Sequence, residues 1–380
     1  MINSYIRGGN MLEVRHLEKR IVGKYRCIVI SDIHSHLDRF KELLKKVNYT
    51  NDDYLVILGD FIEKGDQAIE TIKYLQELQK NSDRVYVILG NCEYALEEMI
   101  CNQKYAKQVI NYLNRIGKSG MIKQALNKLS LDIKKDAPEL IQAKVKEYLQ
   151  PYFDYFNTLP TTLHLNNFIF VHAGIENRKD WKNSKLSSLI EMKTFFQDGH
   201  CLNDYVVVGH LPTSNQHSHA INNDIIIDNK KRIISIDGGT GVKFVNQLNA
   251  LIINGDNDRF YFEKVHVQPL PLYQAIVDVH TEKKKYHKIA WPNYEVNLIK
   301  PGKIFSKCLQ TNTNHVLKIK NEFLYKNKEK LYCLDDYVDN FIEVEKGDVV
   351  KLIGVYGIYA YVIKDNNVGW IKFRYLKKHK

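Results

Sequence analysis

Three β-rich runs near the start of the chain, CIVISD (27–32), YLVILGD (54–60) and RVYVILGN (84–91), each stop on a polar cluster and give way to a helical pattern. LDRFKELLKKVN (37–48) has helical apolar spacing after the first run, and QAIETIKYLQELQK (67–80) is an amphipathic helix after the second. Strands alternating with helices at this spacing predict βαβ units and a largely parallel sheet. In such sheets ligands collect at the carboxyl ends of the strands. Those ends read Asp32-Ile33-His34, Gly59-Asp60 and Gly90-Asn91. Any one of them alone is ordinary turn chemistry. Three in succession point to a shared site.

The later chain extends the pattern. Residues 94 to about 157 read as several helices with lysine-rich faces, an insertion that either caps the site or only adds packing. From 168 the runs FIFVHAG, YVVVGHLP, DIIIDN, RIISIDGG, LNALIING and RFYFEKV predict a second, mixed or antiparallel sheet. Two of these strands end on a histidine beside a glycine, His172 and His210. Composition turns irregular around 265–310, with QPLPLYQ, KKKYHK and WPNYEV. A small all-β unit of Gly-, Asp- and Asn-turned strands follows.

With 380 residues, two or three domains are expected. No apolar run approaches the length of a membrane span, and MINSYIRGGNMLEVRHLEKR lacks the apolar core of a secretory signal, although Met11 could equally be the start. Cysteines 27, 92, 101, 201, 308 and 333 show no metal or disulfide spacing, which predicts reduced thiols and a cytoplasmic setting. Residues 1–260 carry 34 Lys and Arg against 31 Asp and Glu, and residues 261–380 carry 21 against 13. The basic excess therefore sits in the C-terminal third, where it could attract a peptide or an anionic polymer. No nucleic-acid motif accompanies it, so a nucleic-acid partner is not expected.

Collecting the strand ends gives Asp32, His34, Asp60, Asn91, His172 and His210, a mixed set of carboxylate, imidazole and amide donors. That set suits Mn, Fe or Zn better than Ca or Mg alone. An Asp can bridge two cations, and a pair about 3.5–4 Å apart supports in-line attack on phosphorus.

SDIHSH, LGDFIEKG, LGNCE, VHAG, GHLPT and ISIDGGTG occur in an order that resembles the calcineurin-like metallophosphoesterases over roughly 26–262. The closest likeness is to the phosphoprotein phosphatase branch, which includes bacterial diadenosine tetraphosphate hydrolases. The resemblance implies a four-layered α/β/β/α sandwich with two divalent metals, manganese first and iron or zinc as alternatives. It implies that Asp32, His34 and Asp60 hold one ion, and that Asp60 bridges to a second held by Asn91, His172 and His210. The chain then divides into a phosphoesterase domain (1–264, insertion 94–157), an irregular linker (265–314) and an SH3-like barrel (315–380), for which KGDVVKLIGVYGIYAYVIKDNNVGWIKFRYL is the matching stretch.

Departures fall on residues that the resemblance places around the substrate. Cys92 stands where the family has a proton-donating His, Glu63 where it has the supporting Asp, Lys64 where it has a phosphate-clamping Arg, and Ser35 where it has a Gly. Lys64 keeps a positive charge but loses the bidentate fork. Cys92 is read as a proton donor, with filler or redox roles as alternatives and Glu63, His36 or water as other proton sources. General acid catalysis is typically worth about 10²–10⁴-fold, so a weakened acid predicts a preference for good leaving groups. The expectation is a phosphatase acting on phosphorylated protein or a small phosphoester, aryl phosphates or phosphotyrosine before phosphoserine. Alternatives are a bis(5'-nucleosyl)-tetraphosphate hydrolase, and a degenerate fold that binds a phosphorylated partner.

Overall fold

The computed structural model describes residues 4–7, 10–116, 119–217, 220–281 and 286–379; the first three lysines of the KKKYHK stretch lie outside them. The chain packs as two compact units. Met1–Pro212, Asp224–Gly241 and Leu248–Val267 make the first, and Thr213–Asn223, Val242–Gln247 and Gln268–Lys380 make the second.

The first unit is mixed α/β, built on two sheets. Strands β1 (His16–Lys19), β2 (Lys24–Ile30), β3 (Tyr54–Ile57), β4 (Val85–Val87), β5 (Thr162–Leu165) and β6 (Phe168–Val171) are followed by β7 (Tyr205–Val208), β8 (Ile226–Asp228), β9 (Ile233–Ser235), β10 (Leu248–Asp256) and β11 (Arg259–Val267). One sheet has the order β11-β10-β2-β3-β4 and the other β8-β9-β7-β6-β5-β1. The three N-terminal runs are parallel neighbours as expected, β2 with β3 and β3 with β4, while β10 closes antiparallel on β2.

Period-two burial sorts the side chains. Cys27, Val29, Val56 and Leu58 of one sheet share a core with Phe168, Phe170, Val207 and Ile234 of the other. Their neighbours Ile28, Ile30, Ile57, Ile169, Val171 and Val206 join the helices instead. Each sheet therefore buries one face on the other sheet and one on helices. Helix α1 (Leu37–Lys46) contributes Leu37, Phe40, Leu43 and Leu44, the apolar stripe of a period-3.6 element. Helix α2 (Ala68–Asn81) follows β3, and the helical region after β4 resolves into α3 (Asn91–Cys101), α4 (Ala106–Ile116), α5 (Met121–Leu129) and α6 (Pro138–Phe156).

The second unit is all β. It contains β12 (Leu272–Ala275), β13 (Lys288–Ile289), β14 (Glu295–Lys300), β15 (Phe305–Gln310), β16 (Val316–Lys320), β17 (Leu324–Asn327), β18 (Lys330–Cys333), β19 (Tyr337–Val338), β20 (Val349–Tyr356), β21 (Tyr359–Lys364), β22 (Asn367–Lys372) and β23 (Leu376–Lys378). Four of these strands fall in the 265–314 stretch that composition makes look irregular. Short runs with few apolar residues hide them, and the partners of β12 and β13 lie far along the chain.

The sheets are β22-β21-β20-β12-β23 and β16-β15-β14-β18-β17, with β13 paired to β19. The same plan occurs twice: a three-strand meander, a one-turn 3-10 helix and a closing strand, with the fifth strand supplied from before the meander in one copy and after it in the other. Both copies carry a register shift in the first meander strand, at Leu298/Lys300 and at Leu352/Gly354. Tyr361 lies in the core, stacked 4.5 Å from Trp370, with Phe323 and Tyr337 around it.

Candidate metal centre

All six strand-end side chains meet at one place in the first unit, and the backbone is bent to bring them there. Asp32, His34, Ser35, Asp60, Glu63, Lys64 and His210 all have left-handed backbone, with φ between 49° and 66°. Such conformations are rare for non-glycine residues and cluster where the surrounding structure holds a functional site in place. Here the loop after β2 is laced to the loop after β3: Asp32 N–H donates to Gly59 O at 3.2 Å, His34 N–H to Asp60 O at 2.9 Å, and Ser35 N–H to Phe61 O at 2.9 Å. Gly90 makes the close approach of the third strand end possible, since a Cβ there would lie 2.4 Å from Asp60 Oδ1.

Donor directions follow from the hydrogen bonds. His34 Nδ1–H donates to Ile62 O at 3.2 Å and His172 Nδ1–H to Leu58 O at 2.6 Å. A carbonyl only accepts, so in the neutral form of either ring the proton is on Nδ1 and Nε2 carries the lone pair. His34 Nε2 lies 3.8 Å from Asp32 Oδ1 and 3.9 Å from Asp60 Oδ2, and His172 Nε2 lies 3.4 Å from Asp60 Oδ1. Asp60 thus presents one oxygen to each histidine. Asp32 Oδ2 accepts from His210 N–H at 3.0 Å, while its Oδ1 is buried without a hydrogen-bond partner.

Asn91 Oδ1 lies 2.9 Å from His172 Nε2, and rotating the amide would let its NH₂ group donate to His172 Nε2 at 2.9 Å and to His210 Nδ1 at 2.8 Å. The orphaned Asp32 oxygen and the clustered nitrogen and oxygen donors fit a cation beside Asp60. His34, Asp60 and Cys92 have ligand atoms within 4.8 Å of one another, as do Asp32, Asp60 and His172.

Electrostatics favour neutral rings at His34 and His210 and an anionic Asp60, and set Asp32 apart. Burial lowers His34 and His210 to about 4, with the His172 ring adding to the effect at His210. Burial works to raise Asp60, but His172 and His34 outweigh it and bring that carboxyl down to about 2. Burial, then Asp237 and Asp60, push Asp32 well above the usual carboxylate range. Because the histidine pKa values fall on folding, the unfolded chain binds more protons between about pH 6.5 and 4. These two rings therefore contribute stability that falls as pH drops through that window, opposed there by the Asp32 and Glu93 carboxyls, which are raised on folding.

Cys92 Sγ–H donates to Asp60 Oδ2 at 3.1 Å and its N–H to Asp60 Oδ1 at 2.8 Å. Burial, with Asp60 next, pushes its thiol well up. Glu63 is buried and accepts from the Tyr112 hydroxyl and from Met121 N–H at 2.8 Å, so helices α4 and α5 occupy its carboxylate. Lys64 is exposed. His36 Nδ1–H donates to His34 O at 2.7 Å.

Sequence reasoning missed Glu93. Its fully buried carboxylate accepts from Asp60 N–H and Gly90 N–H at 3.0 Å each, Phe61 N–H at 2.9 Å and Ile62 N–H at 3.2 Å. Its place three residues past Gly90, in the N-terminal turn of α3, is the available signal. Burial, then Asp60, pushes it up to about 8 against the pull of these N–H groups. Glu93→Gln keeps the size but leaves only one accepting oxygen for four donors. It should destabilise the fold by about 1–3 kcal/mol in chemical denaturation, and an unchanged midpoint would show the clamp to be dispensable.

Fold and site together define a class, the metal-dependent phosphoesterases. A family profile described as calcineurin-like phosphoesterase matches residues 25–255, more than half of the chain. The chain belongs to that family. It is 43% identical over 63 residues to the symmetrical bis(5'-nucleosyl)-tetraphosphatase of Buchnera aphidicola subsp. Acyrthosiphon pisum (strain Tuc7), covering 16% of this chain and 22% of that protein. It is 26% identical over 192 residues to the asymmetrical bis(5'-nucleosyl)-tetraphosphatase PrpE of Oceanobacillus iheyensis, covering 48% of this chain and 67% of the relative. Among solved structures, a protein serine/threonine phosphatase from Saccharomyces cerevisiae with similarity to human PP5 aligns at 14% identity and TM-score 0.40, covering 68% of this chain and 85% of that one. A cold-active protein-tyrosine phosphatase from a psychrophilic Shewanella aligns at 14% identity and TM-score 0.38, covering 67% and 83%.

Proposed function

We propose that the chain is a dinuclear-metal phosphoesterase that hydrolyses phosphate esters or anhydrides with good leaving groups. The convergence of Asp32, His34, Asp60, Asn91, His172 and His210 around unpaired acceptor atoms carries this reading. Two divalent ions held there would supply a more acidic water and positive charge for the phosphoryl oxygens. The protein's own residues do the rest. Asp60 fixes the spacing of the two ligand sets, the backbone hydrogen bonds of His34 and His172 aim their Nε2 atoms, and Lys64 offers a mobile cation to the phosphate.

Leaving-group preference follows from the two residues expected to serve as acid. Cys92's thiol is turned onto Asp60 and Glu63's carboxylate onto Tyr112 and Met121. With both engaged, an alkoxide departs with little assistance, while a phenolate or a nucleotide phosphate needs less. A phosphotyrosine peptide should turn over at least ~10-fold faster than its phosphoserine twin, the low end of the loss expected for a missing acid being larger still. Equal or reversed rates would sink the preference.

The curated relatives favour a second reading, hydrolysis of dinucleoside polyphosphates. Release of nucleotide from diadenosine tetraphosphate faster than phosphate from p-nitrophenyl phosphate would select it. For the second unit, we read each five-stranded sheet as an SH3-like module, supported by the shared strand order, bulge and 3-10 turn.

A further inference from the structure

We propose that Cys92 is itself a metal ligand, completing an O/N/S donor set with His34 and Asp60 for one of the two ions. The inference rests on the metal-centre reading above and adds a residue that the six-ligand set lacks.

The geometry fixes where the sulfur points. Cys92 sits in the first turn of α3, and its own N–H is held by Asp60 Oδ1 at 2.8 Å. Its Sγ then lies 3.1 Å from Asp60 Oδ2, the oxygen that also faces His34 Nε2 at 3.9 Å. On the other side of His34 Nε2, at 3.8 Å, is Asp32 Oδ1, buried and without a partner. Ligand atoms about 2.0–2.3 Å from a common ion in tetrahedral array stand roughly 3.3–3.7 Å from one another, and the separations of 3.1, 3.8 and 3.9 Å here lie within a few tenths of an ångström of that range. A thiol serving as general acid would have to aim at the leaving oxygen. This one aims into the cage.

The chemistry balances simply. Binding replaces the Sγ–H bond by an Sγ–metal bond, the proton passes to solvent, and nothing is oxidised or reduced. The consequence is selectivity. Thiolate favours zinc or iron over manganese, which prefers carboxylate, carbonyl and water. The ion on the His34 side should therefore be the softer of the pair.

Cobalt(II) titration of the metal-stripped full chain tests this without reference to turnover. Wild type should develop a near-ultraviolet thiolate-to-cobalt charge-transfer band together with visible ligand-field bands. In Cys92→Ser and Cys92→His the charge-transfer band should be lost while the visible bands persist. Zinc affinity in Cys92→Ser should drop at least ~10-fold, the scale on which even the hydrogen-bonding partners of ligands act, with manganese affinity unchanged. Visible bands without a charge-transfer band in wild type would overturn the proposal while leaving the metal centre standing, and this reading does not depend on either variant folding. No cobalt uptake at all would remove the metal centre and the proposal with it. A band that survives Cys92→Ser would trace to another thiol, such as exposed Cys201, and would also overturn it.

Discussion

Hydrolysis of p-nitrophenyl phosphate should fall by at least ~10²–10³-fold on Asp60→Asn, the loss seen when one preorganised electrostatic group is removed from a reaction centre. The substitution is nearly isosteric, and its remaining oxygen can still accept from Cys92 N–H, so the packing around it is kept. What it removes is an anionic oxygen from the shared edge of both ligand sets, between His172 Nε2 at 3.4 Å and His34 Nε2 at 3.9 Å. Rates measured with added Mn²⁺ or Zn²⁺, beside circular dichroism of both proteins, check it. A variant that is folded and retains wild-type turnover would reject the dinuclear enzyme. An inactive wild type that still binds metal would shift the reading to a binding protein built on the same fold.

The second large effect belongs to the all-β unit. Lys243 Nζ donates to Asp336 Oδ1 at 2.7 Å and to the Tyr294 hydroxyl at 2.8 Å, with the side chains of Lys243 and Asp336 only 5% and 3% exposed. Ser214 Oγ–H donates to Asp336 Oδ2 at 2.8 Å, and Phe244 N–H to the neighbouring Asp335 at 2.5 Å. Breaking a buried pair by removing one partner typically costs about 3–5 kcal/mol, because the other charge is left uncompensated. Asp336→Leu or Lys243→Met alone should therefore destabilise by that amount in denaturant unfolding. The double variant should recover much of the loss, since apolar replacements of a buried ion pair are often neutral. Additive losses would show that the two charges do not compensate one another.

How much of this was legible depended on whether a feature is local. The run CIVISD shows its strand, and the polar residues Asp32 and His34 at its end, within a few positions. The six ligand candidates could be collected by reading strand ends, because parallel strands place like ends at one edge. The sequence also carried Ser35, whose φ of 60° explains why a glycine suits that position, though nothing in the residue itself announces the conformation. Glu93 and the Glu63–Tyr112 contact were not legible, since each joins groups far apart in the chain or across a turn, at separations such as 49 residues for Tyr112. Two of the strands of 265–314, Leu272–Ala275 and Lys288–Ile289, were hidden for a similar reason. Lys288–Ile289 finds its partner only at Tyr337–Val338.

The chain path has a consequence for synthesis. Residues Thr213–Asn223 and Val242–Gln247 belong to the all-β unit, yet the strands they pack with begin only at Leu272 and continue to Lys378. During translation the phosphoesterase sheets can form while these two loops have no counterparts to receive Lys243 or Ser214. The loops must then wait until Asp336 has emerged, roughly a hundred residues later, which at about 5–20 residues per second is a delay of several seconds.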